Sequence, residues 1–184
     1  KALKGVEAVW QDAELKDVQY IGQIVAAVAA VTEEIAEEAA RLVKVNYKPQ
    51  SHQVVDTDPA LSKDKPSRRE AGDVDKTFTD ANLVVSSGEY GIPVITHCCL
   101  EPHGQVTEFR DGELQVWAST QNVSRWSDRL DTDIDVPKNK IRVETQYMGG
   151  GFGSKFVYDK WGVIGSLLSK QTGKAVKLLL VRDI

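Results

Sequence analysis

A polar stretch over residues 48–73 constrains the fold more than any other feature of this sequence. Pro49, Pro59 and Pro66 interrupt it, and it carries a charged cluster with few apolar residues to bury. Such a composition is typical of a linker or a long surface crossing between domains. The basic residues within it are typical of a solvated loop. The chain is therefore predicted to bury its apolar residues in two unequal parts, one on each side of this stretch.

The part before the polar stretch predicts a compact strand–helix–strand unit. Residues 20–31 form a β-prone apolar run, in which Gly22 marks a bulge or a close approach. Thr32 is a natural N-cap, and the two glutamates that follow it suit the first turn of a helix. The alternation of apolar and polar residues over 43–47 predicts a second strand.

The part after the polar stretch predicts a mixture of strands and helices. Asp111-Gly112 lies between two alternating runs and is a strong hairpin signal. Gly173 follows a helical pattern as a plausible stop. The predicted strands are 83–85, 94–96, 107–110, 113–117, 141–145 and 176–181, with a short helix after Thr120 and a longer one over 160–170. The predicted fold class is α+β.

Composition excludes several classes of protein. The formal net charge of −4 and the isoelectric point of about 5.4 argue against a general nucleic-acid or anionic-membrane binder. No apolar run approaches the roughly 20 residues of a membrane span. Cys98 and Cys99 are sequence neighbours, so we expect no disulfide framework and a cytoplasmic location. The chain starts without Met and stops just beyond a strand pattern, so we expect a piece of a larger protein.

The glycine-dense segment Gly149-Gly-Gly-Phe-Gly-Ser-Lys155 is the sharpest local feature. Its backbone N–H groups can approach a ligand closely, and such concavities suit phosphate or polar heterocycle groups. It matches neither a Walker A loop nor a Rossmann fingerprint, because the glycines stand at the wrong spacing. A tight turn before the next helix explains the glycines equally well.

Two further groups of residues are candidates for chemistry. Gln121 lies where a strand passes into a helix, and its amide can bind a ligand or cap the helix; the residues alone favour capping. A second group could ligate zinc, but its spacing matches no known ligand pattern and its proline forbids one helical face. We therefore favour a buried turn and predict no metal site there. This group consists of His97, Cys98, Cys99, Glu101 and His103.

Taken together, several segments resemble the xanthine dehydrogenase/aldehyde oxidase family. Residues 20–47 resemble its hammerhead domain, and Gly72-Asp73, His97 and Leu100-Glu-Pro-His103 resemble the entry to its first molybdenum-cofactor domain. Residues 114–122 and 148–155 resemble that domain's two cofactor motifs, in the expected order. The resemblance implies an N-terminally truncated hammerhead-like domain over 1–60, a linker over 61–75 and a C-terminally truncated molybdopterin-binding domain over 76–184.

The resemblance also implies roles for individual residues. Gln121 would lie beside the metal and hydrogen-bond a molybdenum ligand or the pterin, and the glycine loop would line the cofactor. The implied cofactor-binding residues are Gln121, Gly150, Gly151, Phe152 and Gly153. The implied activity is hydroxylation of an aldehyde or aromatic heterocycle with water-derived oxygen on a molybdopterin cofactor. The implied partners are the remainder of the molybdenum subunit, with iron–sulfur and FAD domains or subunits.

Two departures qualify what the resemblance implies. The family's general-base glutamate is expected downstream, so no catalytic residue is predicted within this chain and the chain alone is expected to be inactive. Phe156 stands where xanthine-oxidising members carry a carboxylate, so this substrate-pocket position favours an aldehyde or a less polar aromatic. Two alternatives stay open: a non-catalytic domain that packs against partner subunits without cofactor, and a zinc-binding module. Retention of the cofactor on purification would discriminate between the molybdenum hydroxylase and the non-catalytic domain.

Overall fold

The fold is given by a computed structural model that describes residues 3–51, 67, 69–88, 90–92 and 95–182, without the side chain of Arg129. The chain divides into two compact units. One consists of Lys1–Val45 with Thr96–Ile184, and the other is Asn46–Ile95. The described elements comprise both helices and strands, which confirms the predicted α+β class.

A hairpin and a helix form the first segment of the larger unit. Strands β1 (Val6–Gln11) and β2 (Ala26–Ala30) pair antiparallel, and helix α1 (Glu33–Arg41) follows. The Thr32 hydroxyl accepts from the backbone N–H of Ile35 at 3.4 Å, which confirms the predicted N-cap. The predicted strand over 43–47 is wrong: its apolar side chains are exposed, and β2 pairs instead with the preceding β1.

A four-stranded sheet is the centre of the larger unit. Its order is β5-β4-β3-β6. The antiparallel hairpin of β3 (Gly104–Arg110) and β4 (Glu113–Ala118) confirms the Asp111-Gly112 turn, where both residues have positive φ. Strand β5 (Ile141–Glu144) is parallel to β4, and β6 (Val176–Leu179) is antiparallel to β3.

Two helices cover this sheet and close the core. Helix α3 (Val123–Ile134) follows β4, and helix α4 (Lys160–Thr172) precedes β6. Helix α4 ends at Gly173, which confirms the predicted stop, and Gly173 has a φ of 65°. Gly165 is required for close packing, since a Cβ there would lie 2.4 Å from the Gln105 amide nitrogen. The core side chains are apolar and almost completely buried; they include Leu114, Val116, Trp126, Leu130, Ile134, Ile141 and Trp161.

The smaller unit contains a helix that the sequence analysis did not predict. Helix α2 (Val74–Thr79) begins after Asp73, whose carboxylate accepts from the backbone N–H of Lys76 at 3.0 Å. The predicted strand over 83–85 is wrong, because these residues are exposed and pair with none of the described strands. Residue 94 of the predicted strand over 94–96, and residues 61–66 and 68 of the predicted linker, lie outside the described residues. Within the described ranges, no helix has the length and apolar character that crossing a bilayer requires.

Candidate cofactor-binding site

The sheet topology brings the glycine loop next to Gln121. Strands β4 and β5 are parallel neighbours, so their carboxyl ends lie at the same edge of the sheet. Residues 119–121 continue from β4, and the loop over 148–155 follows β5. The Thr145 hydroxyl donates to the Ala118 carbonyl at 2.7 Å and keeps the two exits aligned. Two segments that are distant in sequence therefore form one surface.

Lys155 connects the end of the glycine loop to the exit of β4. Its carbonyl accepts from the Gln121 backbone N–H at 2.8 Å and from the Thr120 hydroxyl at 2.9 Å. Lys155 as a whole residue is 1% exposed, and its ammonium donates to the Ser119 hydroxyl at 2.7 Å. The same ammonium donates to the Glu101 carbonyl at 2.9 Å and to Glu101 Oε2 at 3.1 Å. Three acceptors thus match the three protons of a buried ammonium group.

Glu101 holds both ends of the loop through one carboxylate oxygen. Besides Lys155, its Oε2 accepts from the Ser119 hydroxyl at 2.6 Å and from the Gly149 backbone N–H at 2.7 Å. The Glu101 backbone N–H donates in return to the Gly149 carbonyl at 3.2 Å. Burial raises the pKa of the Glu101 carboxyl, but the hydrogen bonds from Ser119, Gly149 and Lys155 outweigh it and hold that pKa below its ordinary value.

Gln121 binds the loop and does not cap the helix. Its Oε1 accepts from the backbone N–H groups of Gly153 at 2.9 Å and Lys155 at 3.2 Å. The N-cap of α3 is Asn122, so the capping interpretation of Gln121 is wrong. Because Oε1 must face these two donors, the amide orientation is fixed and Nε2 is directed away from them. Nε2 donates to no acceptor within the described residues.

The middle of the loop carries backbone donors that the rest of the fold does not use. The N–H groups of Gly149, Gly153, Ser154 and Lys155 are bound by protein acceptors. In the part of the chain that the structure describes, the three N–H groups over residues 150–152 have none. Consecutive unbound backbone donors in a turn of this kind can bind an anionic or strongly polar group.

Backbone conformation explains why glycines are needed in this loop. Gly150 and Gly153 have φ of 96° and 103°, and Phe152 has φ of 51°, which a non-glycine residue rarely adopts. Gly151 is required for a different reason. A Cβ at Gly151 would lie 2.4 Å from the Gln121 side chain, so any larger residue would displace the amide or the loop.

Three ring side chains form the exposed edge of the site. Phe152 is 73% exposed and Phe156 is 49% exposed. A Cβ added at Gly153 would lie 3.5 Å from His97 Nε2 and 4.0 Å from the Phe156 ring. His97 and Phe156 therefore border the same small space above the loop.

The structure disperses the residues that were considered for zinc. Cys99 is buried and its thiol donates to the Gly151 carbonyl at 3.3 Å, whereas Cys98 is exposed. Glu101 is bound by Lys155, and His103 Nε2 donates to the Ser154 carbonyl at 3.1 Å. Among the described residues, no group of three or more potential ligands could hold a metal ion. Cys99, Glu101 and His103 instead support the back of the glycine loop.

Family models match both parts of the chain. The molybdopterin cofactor-binding domain matches residues 56–184, and the aldehyde oxidase and xanthine dehydrogenase a/b hammerhead domain matches residues 8–51. The chain belongs to the molybdopterin cofactor-binding domain family. This confirms the resemblance to xanthine dehydrogenases and aldehyde oxidases that the motifs indicated. The glycine loop and Gln121 both lie within the matched molybdopterin-binding range.

Curated relatives in this family are much longer than the chain. Xanthine dehydrogenase/oxidase of Gallus gallus is 32% identical over 170 residues, which is 89% of this chain and 12% of the relative. The aldehyde oxidoreductase molybdenum-binding subunit PaoC of Escherichia coli is 28% identical, over 90% of this chain and 23% of the relative. The chain thus spans less than a quarter of the length of these relatives.

Solved structures of longer proteins share the fold of this chain. Quinoline 2-oxidoreductase of Pseudomonas putida matches with a TM-score of 0.82 at 24% identity, over 98% of this chain and 28% of that one. Carbon monoxide dehydrogenase of Oligotropha carboxidovorans matches with a TM-score of 0.83 at 25% identity, over 98% and 28%. Both likenesses extend over nearly all of this chain.

Sequence reasoning missed the residues that support the loop from behind. The sequence analysis gave no supporting role to Ser119, Thr120 or Lys155. It treated Glu101 as a possible metal ligand and as part of the Leu100-Glu-Pro-His103 motif. A signal was present for Lys155: lysine is almost never fully buried unless it is paired, so a lysine that ends a glycine-rich loop is either solvated or paired with a carboxylate. The pairing itself spans 54 residues and has no local signature.

Proposed function

We propose that this chain supplies part of the molybdopterin pocket of a molybdenum hydroxylase. The proposed enzyme is an oxidoreductase that hydroxylates an aldehyde or an aromatic heterocycle with oxygen derived from water. The observation that carries the proposal is the arrangement of donors around the glycine loop. The Gln121 carboxamide oxygen binds the loop, while its Nε2 and the N–H groups over 150–152 have no acceptor in the described parts of the chain.

The residues of the site fit the chemistry of a molybdopterin. Such a group would present a phosphate and a polar heterocycle, both of which accept hydrogen bonds. The loop offers backbone donors next to residues of positive φ, a geometry that binds such acceptors. The residues that would hold the cofactor are Gln121, Gly150, Gly151, Phe152 and Gly153.

These residues would contribute to the proposed pocket in different ways. Gln121 donates through Nε2 to a cofactor acceptor, because its Oε1 is occupied by Gly153 and Lys155. Gly150 and Gly151 would donate their backbone N–H groups, which no acceptor in the described residues binds. The exposed ring of Phe152 would shield the bound cofactor from water. When bound, the cofactor supplies the two-electron oxidation and the oxygen-transfer chemistry.

Phe156 is the proposed substrate-pocket residue. Its ring is half-exposed on the same side of the loop as His97. An apolar ring offers no hydrogen bond to the nitrogen or oxygen atoms of a purine, and unpaired polar groups are costly when they are desolvated. The proposed substrate is therefore an aldehyde or a weakly polar aromatic heterocycle.

The proposal extends to the rest of the enzyme. It places the general-base glutamate outside this chain and the iron–sulfur and FAD groups on other domains or subunits. It divides the chain into a hammerhead-like domain over 1–60, a linker over 61–75 and a molybdopterin-binding domain over 76–184. It also includes a cytoplasmic location, which the two unpaired cysteines support because a reducing compartment keeps thiols free.

Cofactor content tests this proposal directly. Molybdenum and pterin would be measured in the purified chain, alone and assembled with the remaining parts of its molybdenum subunit, from a host that makes the cofactor. We expect both to be present only in the assembled protein, which should also incorporate oxygen from ¹⁸O-labelled water into an aromatic aldehyde. An assembled protein without molybdenum would overturn the proposal and favour a non-catalytic domain that packs against partner subunits.

A further inference from the structure

The strongest unassigned feature of the molecule is the hydrogen-bonded group behind the glycine loop. We define the Glu101–Lys155 cluster as Glu101, Ser119, Gly149 and Lys155. Lys155 is one of the largest fully buried side chains in the described residues, and its side chain has no exposed surface. Burying an ammonium group is costly unless its charge and all its donors are paired. Here one carboxylate, one carbonyl and one hydroxyl supply that pairing.

The cluster fixes the two ends of the loop relative to one another. Gly149, at the loop's start, and Lys155, at its end, both donate to Glu101 Oε2, at 2.7 and 3.1 Å. The Gly149 end of the loop packs closely against Glu101, since a Cβ at Gly149 would lie 2.5 Å from Glu101 Cβ. The residues between these ends are the ones that carry the unbound N–H groups.

The cluster also fixes Gln121. The Lys155 backbone binds residues 120 and 121 through its carbonyl, and its N–H donates to Gln121 Oε1. Its ammonium binds Ser119, the residue directly after β4 and Ala118. Moving Lys155 would therefore move the Gln121 amide and the loop together.

From this geometry we infer that Glu101 and Lys155 are positioning residues that set the Gln121 amide and the loop N–H groups for the cofactor. They act through Gly149, Ser119 and Gln121 and need not contact the cofactor themselves. The inference rests on the proposed function, because it concerns the same pocket. It gives a role to the Lys155 ammonium, the most buried charge of the site. Neither the glycine pattern nor the position of Gln121 explains why that charge is buried.

The test compares cofactor release and the Mo(V) electron paramagnetic resonance spectrum in the assembled enzyme. Lys155→Met and Glu101→Gln remove the charge at similar size. Supporting residues of a bound metal commonly alter affinity by about 10-fold to 100-fold. We expect each variant to release molybdopterin about 10-fold faster than wild type, with a shifted spectrum in the loaded fraction. The double variant should release it no faster than the worse single variant, because the two residues act as one unit.

Matched controls separate positioning from general destabilisation. Lys170 also donates to backbone carbonyls, those of Ile134 and Asp135, and Lys170→Met should leave release and spectrum unchanged. Glu108 pairs with Arg110 on the sheet, and Glu108→Gln serves in the same way. If Lys155→Met does not accumulate as folded protein, Ser119→Ala and Gly149→Ala decide, and both should show the faster release.

The outcomes distinguish this inference from the proposed function. Wild-type enzyme that binds no molybdenum would overturn both. Wild-type enzyme that binds it, with unchanged release and an unchanged spectrum in Glu101→Gln, Ser119→Ala and Gly149→Ala, would overturn the positioning role alone. Variants that melt earlier but keep the wild-type release rate and spectrum would assign the cluster to folding, and they too would overturn the inference.

Discussion

The base and the rim of the site differ in how their side chains are held. We call Glu101, Ser119, Thr120 and Lys155 the base, and His97, Phe152 and Phe156 the rim. Base side chains are joined by hydrogen bonds of 2.6 to 3.1 Å, and Lys155 is almost completely buried. The rim side chains are rings with large exposed surfaces. Because a fixed base gives a constant geometry and an exposed rim can contact different ligands, the base suits the cofactor and the rim suits the substrate.

The largest expected effect on folding is at the base. Lys155→Met should lower the free energy of unfolding of the chain by about 2–3 kcal/mol, somewhat less than the loss seen when completely buried pairs are broken, because Glu101 is partly solvated. The variant leaves a carboxylate without its cation. Urea unfolding followed by tryptophan fluorescence would measure the change. Lys170→Met is the control, and an equal loss in both variants would contradict a special role for the base.

Crowding where the base meets the glycine loop should have the next largest effect, in this case on the occupancy of the cofactor. Gly151→Ala places a methyl group 2.4 Å from the Gln121 carboxamide and should lower molybdopterin occupancy in the assembled enzyme about 10-fold. Gly173→Ala, at the end of α4, carries the strain of a positive φ, and its added Cβ meets no described atom within 4 Å. Molybdenum analysis of both variants separates crowding from backbone strain. Equal occupancy in the two would contradict the importance of the Gly151 approach.

Lowering the pH should destabilise the base of the site, to a degree that depends on the Glu101 carboxyl. The folded-state pKa of its carboxyl lies below the ordinary value of 4.5, so its contribution to stability is present above that pH. The contribution is lost as the pH falls through the lowered pKa. The free energy of unfolding should therefore be higher in wild type than in Glu101→Gln, and this difference should be largest at pH 5–7. The difference should shrink below pH 4.5. Urea unfolding at several pH values tests this, and a constant difference at every pH would contradict it.

The smallest effect on stability is expected at the rim. Phe156→Ala should change the free energy of unfolding by no more than about 0.5 kcal/mol, because the ring is half-exposed. Phe156→Glu should instead change substrate preference and raise kcat/KM for a purine relative to an aromatic aldehyde. Steady-state kinetics of the assembled enzyme measure that ratio. A ratio equal to that of wild type would remove Phe156 from the substrate pocket.

Local signals predicted the parts of the fold that local chemistry determines. The Asp111-Gly112 turn, the Thr32 cap and the Gly173 stop were each predicted from a few adjacent residues, and the structure confirms them. The strand over 43–47 was wrong because alternation shows only that a strand is possible. Strand pairing is a long-range choice, and β2 pairs with β1.

The same limit applies to the site. The glycine pattern and Gln121 were found from the sequence, since each carries a recognisable local motif. Glu101 and Lys155 were not paired in the sequence analysis, because their contact is made only when residues 54 positions apart meet at one sheet edge. Gln121 was assigned to the helix cap for the same reason: its acceptor role depends on Gly153 and Lys155, which are distant in sequence.

The molybdenum-to-protein ratio of two variants of the assembled enzyme tests the division between base and rim most directly. Gln121→Ala removes the amide that the base holds, and Phe156→Ala removes a rim ring. We predict that the ratio falls about 10-fold in the first variant and stays at the wild-type value in the second. Gln171→Ala, at the exposed end of α4, controls for loss of a glutamine. A wild-type ratio in Gln121→Ala, or an equal fall in both variants, would contradict the account.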